Sequence, residues 1–147
     1  MMGDVKMRGR KFTPEVTHEL KNDIVRVPEI ISKKCSGIII LGKKIRSLIF
    51  TTDISIIRNS SADAIIAVYP FTPHPAITQA IMSVADIPVL CGVGGGTTQG
   101  VRSANIALHA EFQGALGMVL NAPAPDDTVK LVKDTIAIPI ILTAVLN

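Results

Sequence analysis

The stretch Ile87-Pro88-Val89-Leu90-Cys91-Gly92-Val93-Gly94-Gly95-Gly96-Thr97-Thr98 decides the fold. Its first half is a short apolar run, as expected of a buried strand. Its second half is a glycine cluster, and residues 99–112 behind it carry a helical pattern. Glycines between a strand and a helix let the backbone approach a ligand closely, with N–H groups aimed at it. The stretch therefore predicts a strand–turn–helix unit and points to an anionic ligand, but to no reaction.

The same alternation recurs on both sides. Strands are expected over residues 47–51, 64–69, 88–93, 115–121 and 138–145. Helices are expected over 53–59, 75–84, 98–112 (stopped by Gly114) and 126–135. Two segments, Ala85-Asp86-Ile87-Pro88-Val89-Leu90 and Ile136-Ala137-Ile138-Pro139-Ile140-Ile141, share one pattern. Each leaves a helix and enters a strand through Ile-Pro, where proline is tolerated because the first strand residue can spare its N–H. Strands alternating with helices imply a parallel sheet with right-handed crossovers.

Upstream, residues 1–12 read as a flexible basic arm. Thr13 and Pro14 open a helix to about residue 21, and Pro28-Glu29-Ile30-Ile31 opens a second. Residues 37–41 are expected to form a hairpin with 45–51 across Gly42-Lys43-Lys44. Residues 13–147 thus make one α/β domain. Two architectures fit: an incomplete (β/α)8 barrel, whose full form needs about 250 residues, or an open, flavodoxin-like, five-stranded doubly wound sheet. The chain stops at Asn147, directly after an apolar strand with no covering helix. That ending favours the N-terminal part of a longer barrel. Strand edges left unpaired would promote homo-oligomers.

Composition narrows the function classes. Of 147 residues, 48% are hydrophobic and 18% charged, which excludes a disordered chain. Ile, Val, Ala and Leu dominate, as in parallel strands buried on both faces. Mean hydropathy is +0.42, yet the longest apolar run, 136–146, is interrupted by Pro139 and Thr143 and falls short of the ~20 residues of a membrane span. Net charge is +3, with the positives clustered early in the chain. No aromatic residues interleave with them, which argues against nucleic acid. Cys35 and Cys91 lie far apart and the three histidines are scattered, so no metal site is expected. With no signal peptide at the polar amino end, the expected compartment is the cytoplasm. No motif names a cofactor or a substrate.

The run Phe50-Thr51-Thr52-Asp53, the segment from Ala64 to Pro70, the loop from Cys91 to Thr98, and Leu120-Asn121-Ala122-Pro123 carry a resemblance covering roughly residues 7–145. On these residues the chain resembles a little-characterised bacterial family similar to the phosphate-binding (β/α)8 barrels, the superfamily that includes ribulose-phosphate-binding enzymes. Members are often labelled only as hydrolases. The resemblance implies that this chain holds about the first five βα units. One departure stands out: those barrels bind phosphate after strands 7 and 8, whereas this glycine loop follows the third repeating strand.

In either architecture, ligands bind at the carboxyl ends of the parallel strands. Those ends carry Thr51, Thr52 and Asp53; Tyr69, Thr72 and His74; Cys91 and the glycine loop; Asn121; and Thr143. Gly94, Gly95, Gly96, Thr97 and Thr98 form a candidate anion cradle of three glycine N–H groups and two hydroxyls, with a tight turn capped by Thr97 as the plain alternative. No Lys follows the glycines, so it is not a P-loop, and no acidic residue sits on the next strand end as a dinucleotide site requires. Asp53 is a candidate general base or a helix cap. His74, between two prolines, is a candidate acid–base group or an exposed cap. Cys91 is a thiolate candidate or a small buried hydrophobe. Asn121 could orient a ligand or bond its own turn, and Thr51 and Thr52 complete the ligand-binding set. Asp126 is read as the cap of the helix to about residue 135, with Asp127 at its start. On helix 98–112, Val101, Ala104, Leu108 and Phe112 are expected to be buried, with His109 and Glu111 at the surface. The sequence thus predicts a binder of a small phosphorylated or anionic molecule: an enzyme, with a hydrolase as its candidate activity, a non-catalytic metabolite-sensing domain, or an inactive fragment.

Overall fold

The structure, a computed structural model, describes residues 12, 14–15, 25–69 and 72–145. The expected arm and the helix over residues 13–21 lie outside the described residues apart from Phe12, Pro14 and Glu15. Helix α1 (Glu29–Lys34) begins behind Pro28, with Glu29 in its first turn and Lys33 and Lys34 in its last, charges that suit the helix dipole.

The hairpin forms in a tighter register than expected. Strands β1 (Ile38–Ile40) and β2 (Lys43–Ile45) pair antiparallel with Ile40 opposite Lys43. Leu41 and Gly42 make the turn, both at positive φ (47° and 80°), as a two-residue hairpin turn demands. Lys43 and Lys44 are therefore strand residues, and the partner strand ends at Ile45 instead of running on to residue 51. The Asp63 carboxylate accepts the N–H groups of Arg46 (2.8 Å) and Ser47 (3.2 Å), turning the chain out of the hairpin and into the main sheet.

That sheet has five strands: β3 (Leu48–Phe50), β4 (Ala64–Ala67), β5 (Val89–Gly94), β6 (Gly117–Leu120) and β7 (Ile140–Leu142). All neighbours are parallel, and spatial order equals chain order. Helices α2 (Ile54–Arg58), α3 (Pro75–Val84), α4 (Gly100–Phe112) and α5 (Asp126–Thr135) fill the crossovers. The strand order never reverses along the sheet, so crossovers of one hand put every helix on the same face. A flavodoxin-like sheet reverses its order and carries helices on both faces; the sequential order excludes it.

Strand alternation separates the two faces. Ile65, Ala67, Val89, Cys91, Val93, Met118 and Leu120 pack under the helices with Ile57, Ile81, Ala107 and Val132. Ala64, Ile66, Leu90 and Val119 face the other way, where Ile40 and Ile45 of the hairpin cover them. Pro88 and Pro139 stand just ahead of β5 and β7. Their carbonyls accept from Ile65 and Met118 at 2.9 Å, so each proline joins the sheet without needing an N–H.

The buried stripe of α4 departs from expectation. Ser103, Ala104, Ala107 and Ala110 are buried, while Val101 (66% exposed) and Phe112 (79%) face outward. Small residues let α4 lie close to the sheet and to α5, which it packs against. Large apolar side chains do not fit there. Among the described residues, no helix is long and apolar enough to cross a membrane.

Candidate functional site

The hairpin covers the helix-free face near the strand starts; a cavity of about 580 Å³ opens near the strand ends. Its apolar wall is Phe50, Ile66, Val68 and Val119, and its polar rim holds Tyr69, Thr72, Gly94, Gly96, Thr97, Thr98 and Asn121. Period-two alternation puts them on one surface: Ile66 and Val68 on one strand, Gly92 and Gly94 on the next, Val119 and Asn121 on the third. Sequence reasoning passed over this apolar wall, although the same alternation was available to find it.

The glycine loop is shaped by close approach. Gly94 and Gly95 have φ of 130° and 122°, conformations that L side chains rarely adopt. A Cβ on Gly95 would stand 1.8 Å from the Asn121 carbonyl oxygen, and one on Gly94 2.3 Å from the Thr98 carbonyl oxygen. Gly95 N–H donates to that Thr98 oxygen at 2.9 Å, and the Ser103 hydroxyl donates to it at 3.1 Å. The expected cradle of three glycine N–H groups is thereby corrected, because Gly95 spends its N–H within the loop. The N–H groups of Gly96, Thr97 and Thr98 find no acceptor among the described residues. Nor does Thr97 cap the helix: the N-cap of α4 is Gln99, whose side chain instead donates to the Gly96 carbonyl at 2.6 Å. The first helical N–H, of Gly100, is taken by the Thr128 hydroxyl of α5 at 2.9 Å.

Thr98 stands out. It is 4% exposed and borders the cavity, yet its hydroxyl has no hydrogen-bond partner among the described residues. Among the described residues the fully buried side-chain oxygen left without a partner is Gln113 Oε1; the Thr98 hydroxyl instead keeps access to the cavity it borders and is open to a group bound there. Tyr69 places its phenol beside the Thr78 hydroxyl of α3 in a short hydrogen bond. Burial raises the Tyr69 pKa from 10.0 to about 12, the bond to Thr78 working in the opposite direction, so the phenol keeps its proton at neutral pH.

The remaining sequence candidates lie elsewhere on this edge. Asp53 is the N-cap of α2, its carboxylate accepting from Ile56 N–H at 3.1 Å. His74 is the N-cap of α3, its Nδ1 accepting from Ala76 N–H at 3.1 Å. Neither lines the cavity. The Thr51 hydroxyl accepts from Asp53 N–H at 3.0 Å, and neither Thr51 nor Thr52 lines the cavity. Cys91 lies within β5 rather than at its end and points under the helices. Burial pushes its thiol from 9.0 up to about 12, the opposite of a reactive thiolate. Asp126 begins α5 behind Pro125 and makes no side-chain cap. Glu111 reaches α5's exit, accepting from Ala137 N–H at 3.0 Å. No group of three or more His, Cys, Asp or Glu suited to a metal occurs among the described residues.

The chain matches no family model and no curated protein. Among solved structures, a crystal structure of dihydrodipicolinate synthase (dapA) is similar, with a TM-score of 0.52 at 16% identity. The match covers 65% of this chain and 45% of that one, so the chain spans less than half the length of the protein it resembles. At this identity the likeness concerns the fold alone: a five-stranded parallel sheet of βα units resembling part of a TIM barrel.

Proposed function

We propose that the cavity binds the anionic head of a small metabolite, a phosphate or a carboxylate, at the carboxyl ends of β4–β6. The observation that supports this is the Thr98 hydroxyl, on the cavity lining and without a hydrogen-bond partner among the described residues, beside three backbone N–H groups with no acceptor there. Such a set of oriented donors is built for oxygen acceptors carrying negative charge. The apolar wall of Phe50, Ile66, Val68 and Val119 would take the carbon skeleton. The test is calorimetric titration of the chain with inorganic phosphate. Saturable binding by the wild type, weakened by Thr98→Val, supports the reading; no saturable binding overturns it.

A hydrolase is the enzymatic version of this reading, in keeping with the family the sequence resembles. Asp53 and His74 are its acid–base candidates, on the same edge of the sheet. One observation favours the non-catalytic version: the described lining holds no Asp, Glu, His, Lys or Arg, and its one titratable group, Tyr69, keeps its proton. Turnover of a panel of simple phosphate monoesters, lost in Asp53→Asn with phosphate affinity retained, would decide for the enzyme.

A further inference from the structure

Thr143, one residue beyond β7, is outside the cavity lining but is tied to a residue within it. Its backbone N–H donates to the Leu120 carbonyl at 3.0 Å, which extends the β6–β7 pairing. Its hydroxyl accepts from Ala122 N–H at 3.1 Å and donates to Asn121 Oδ1 at 3.1 Å. A hydroxyl has one proton to give. With the Ala122 N–H on one lone pair, that proton is satisfied by turning to Oδ1. The Asn121 carboxamide is then held with its oxygen toward β7. Its Nδ2 donor has no partner among the described residues, and Asn121 lines the cavity.

We infer that Thr143 is a positioning residue: it fixes the Asn121 carboxamide as a hydrogen-bond donor, so that the β6 side of the cavity accepts an acceptor-only oxygen of the ligand. This rests on the anion-binding reading and narrows it. Unaided, an asparagine amide offers a donor or an acceptor with equal ease, because its two ends are nearly the same shape. Pinned by Thr143, it joins Thr98 and the loop N–H groups as another donor. It thereby favours phosphoryl, carboxylate or carbonyl oxygens over ammonium groups. The pin comes from a different βα unit than the amide it orients, so specificity at β6 depends on the docking of β7.

The test uses the full chain, inorganic phosphate as probe, and the Thr143→Val and Thr143→Ser variants. Valine keeps the shape and removes the hydroxyl; serine restores it. Losing one oriented hydrogen bond to a charged group weakens phosphate binding about tenfold in Thr143→Val. Thr143→Ser stays within about twofold of the wild type on the same reasoning. In the ligand-free protein, the Asn121 side-chain NH2 resonances, assigned with Asn121→Asp, move toward solvent-averaged positions in Thr143→Val and stay in place in Thr143→Ser. Wild-type affinity together with unmoved amide resonances in Thr143→Val would overturn the inference. Should the wild type bind no phosphate, the anion reading fails on its own. The amide spectra then decide the pin alone: resonances displaced in Val and restored in Ser uphold it, and resonances unmoved in Val refute it.

Discussion

Replacing Gly95 and Gly96 in turn with alanine should give effects of opposite sign, although the two are chain neighbours in one glycine run. At Gly95 the new methyl would sit 1.8 Å from the Asn121 carbonyl oxygen and 2.7 Å from its carbonyl carbon. Ordinary contact needs roughly 3.5 Å, so backbone must move by about 1.7 Å. The atoms in the way belong to the end of β6, which is anchored by Asn121 N–H donating to Gly94 at 3.0 Å. They are no flexible side-chain tip. Overpacking of this kind costs about 2–3 kcal/mol, and a φ of 122° adds about 2 kcal/mol for a residue with a Cβ. The sum, about 4–5 kcal/mol, is a large share of a domain's total stability of ~5–15 kcal/mol. At Gly96 nothing lies within 4 Å of the added methyl, and φ is not in the restricted region. Alanine there narrows the unfolded ensemble and stabilises by about 0.5 kcal/mol. Urea unfolding followed by far-ultraviolet circular dichroism measures both. With a slope of ~2 kcal/mol per molar, Gly95→Ala lowers the midpoint by about 2 M, and Gly96→Ala raises it slightly. Gly96 also lines the cavity, so the same variant should lose phosphate affinity while keeping its fold. A Gly95→Ala protein that unfolds at the wild-type midpoint would refute the described docking of loop on strand.

Three further outcomes follow from other parts of the molecule. Asp53→Ala removes the α2 cap and costs about 1 kcal/mol in urea unfolding; with Asp53 outside the cavity lining, phosphate affinity should stay within about twofold, and a larger loss would bring Asp53 into the site. Burial raises the pKa of both Cys91 and Tyr69 to about 12 from 9.0 and 10.0, so the unfolded chain releases these protons first; stability is complete below pH 9 and falls as pH rises toward 12. In Cys91→Ala the onset should move up toward 10, read from urea midpoints across that window, and an unmoved onset would contradict a protonated buried thiol. On α4, Ala107→Leu overpacks the contact with the sheet and costs about 1–3 kcal/mol, whereas Val101→Ser and Phe112→Ser, on the exposed side, stay within about 0.5 kcal/mol; equal thermal shifts in all three would refute the helix orientation.

The parallel sheet was legible because each strand is an apolar run bounded on at least one side by glycine, proline or a capping residue. Pro75–Val84 and Asp126–Thr135 coincide with the helices expected from Pro75 and Asp126. The orientation of α4 was not legible. Hydrophobic spacing favoured Val101, Ala104, Leu108 and Phe112 as its buried stripe; Ala104 is buried as expected, but helix-on-sheet proximity selects for small volume, and Ser103, Ala107 and Ala110 share the face with it while Val101 and Phe112 turn outward. Nor could the hairpin register be read, since Lys43 and Lys44 look like turn residues until Leu41 is seen at positive φ.

The candidate site was legible in its location and not in its parts. Residues at strand ends fall on one edge in any parallel sheet, so Thr98 and Asn121 could be placed there from the sequence. What separates them from Asp53 and His74 is the fate of each hydrogen-bonding group. Asp53 and His74 meet backbone N–H groups two or three residues ahead, a local match that any helix start can supply. Thr98 and the Asn121 amide keep unspent hydrogen-bonding groups because backbone bonds close the loop around them, Gly95 onto Thr98 and Asn121 onto Gly94, and the side chains of Gln99 and Ser103 that reach it donate to carbonyls only. Glycine makes that closure possible by removing the side chains that would otherwise fill the space or satisfy the donors. The glycine run is thus less a set of ligand-binding N–H groups than the device that leaves the N–H groups of Gly96, Thr97 and Thr98 and the side-chain amide of Asn121 without partners among the described residues.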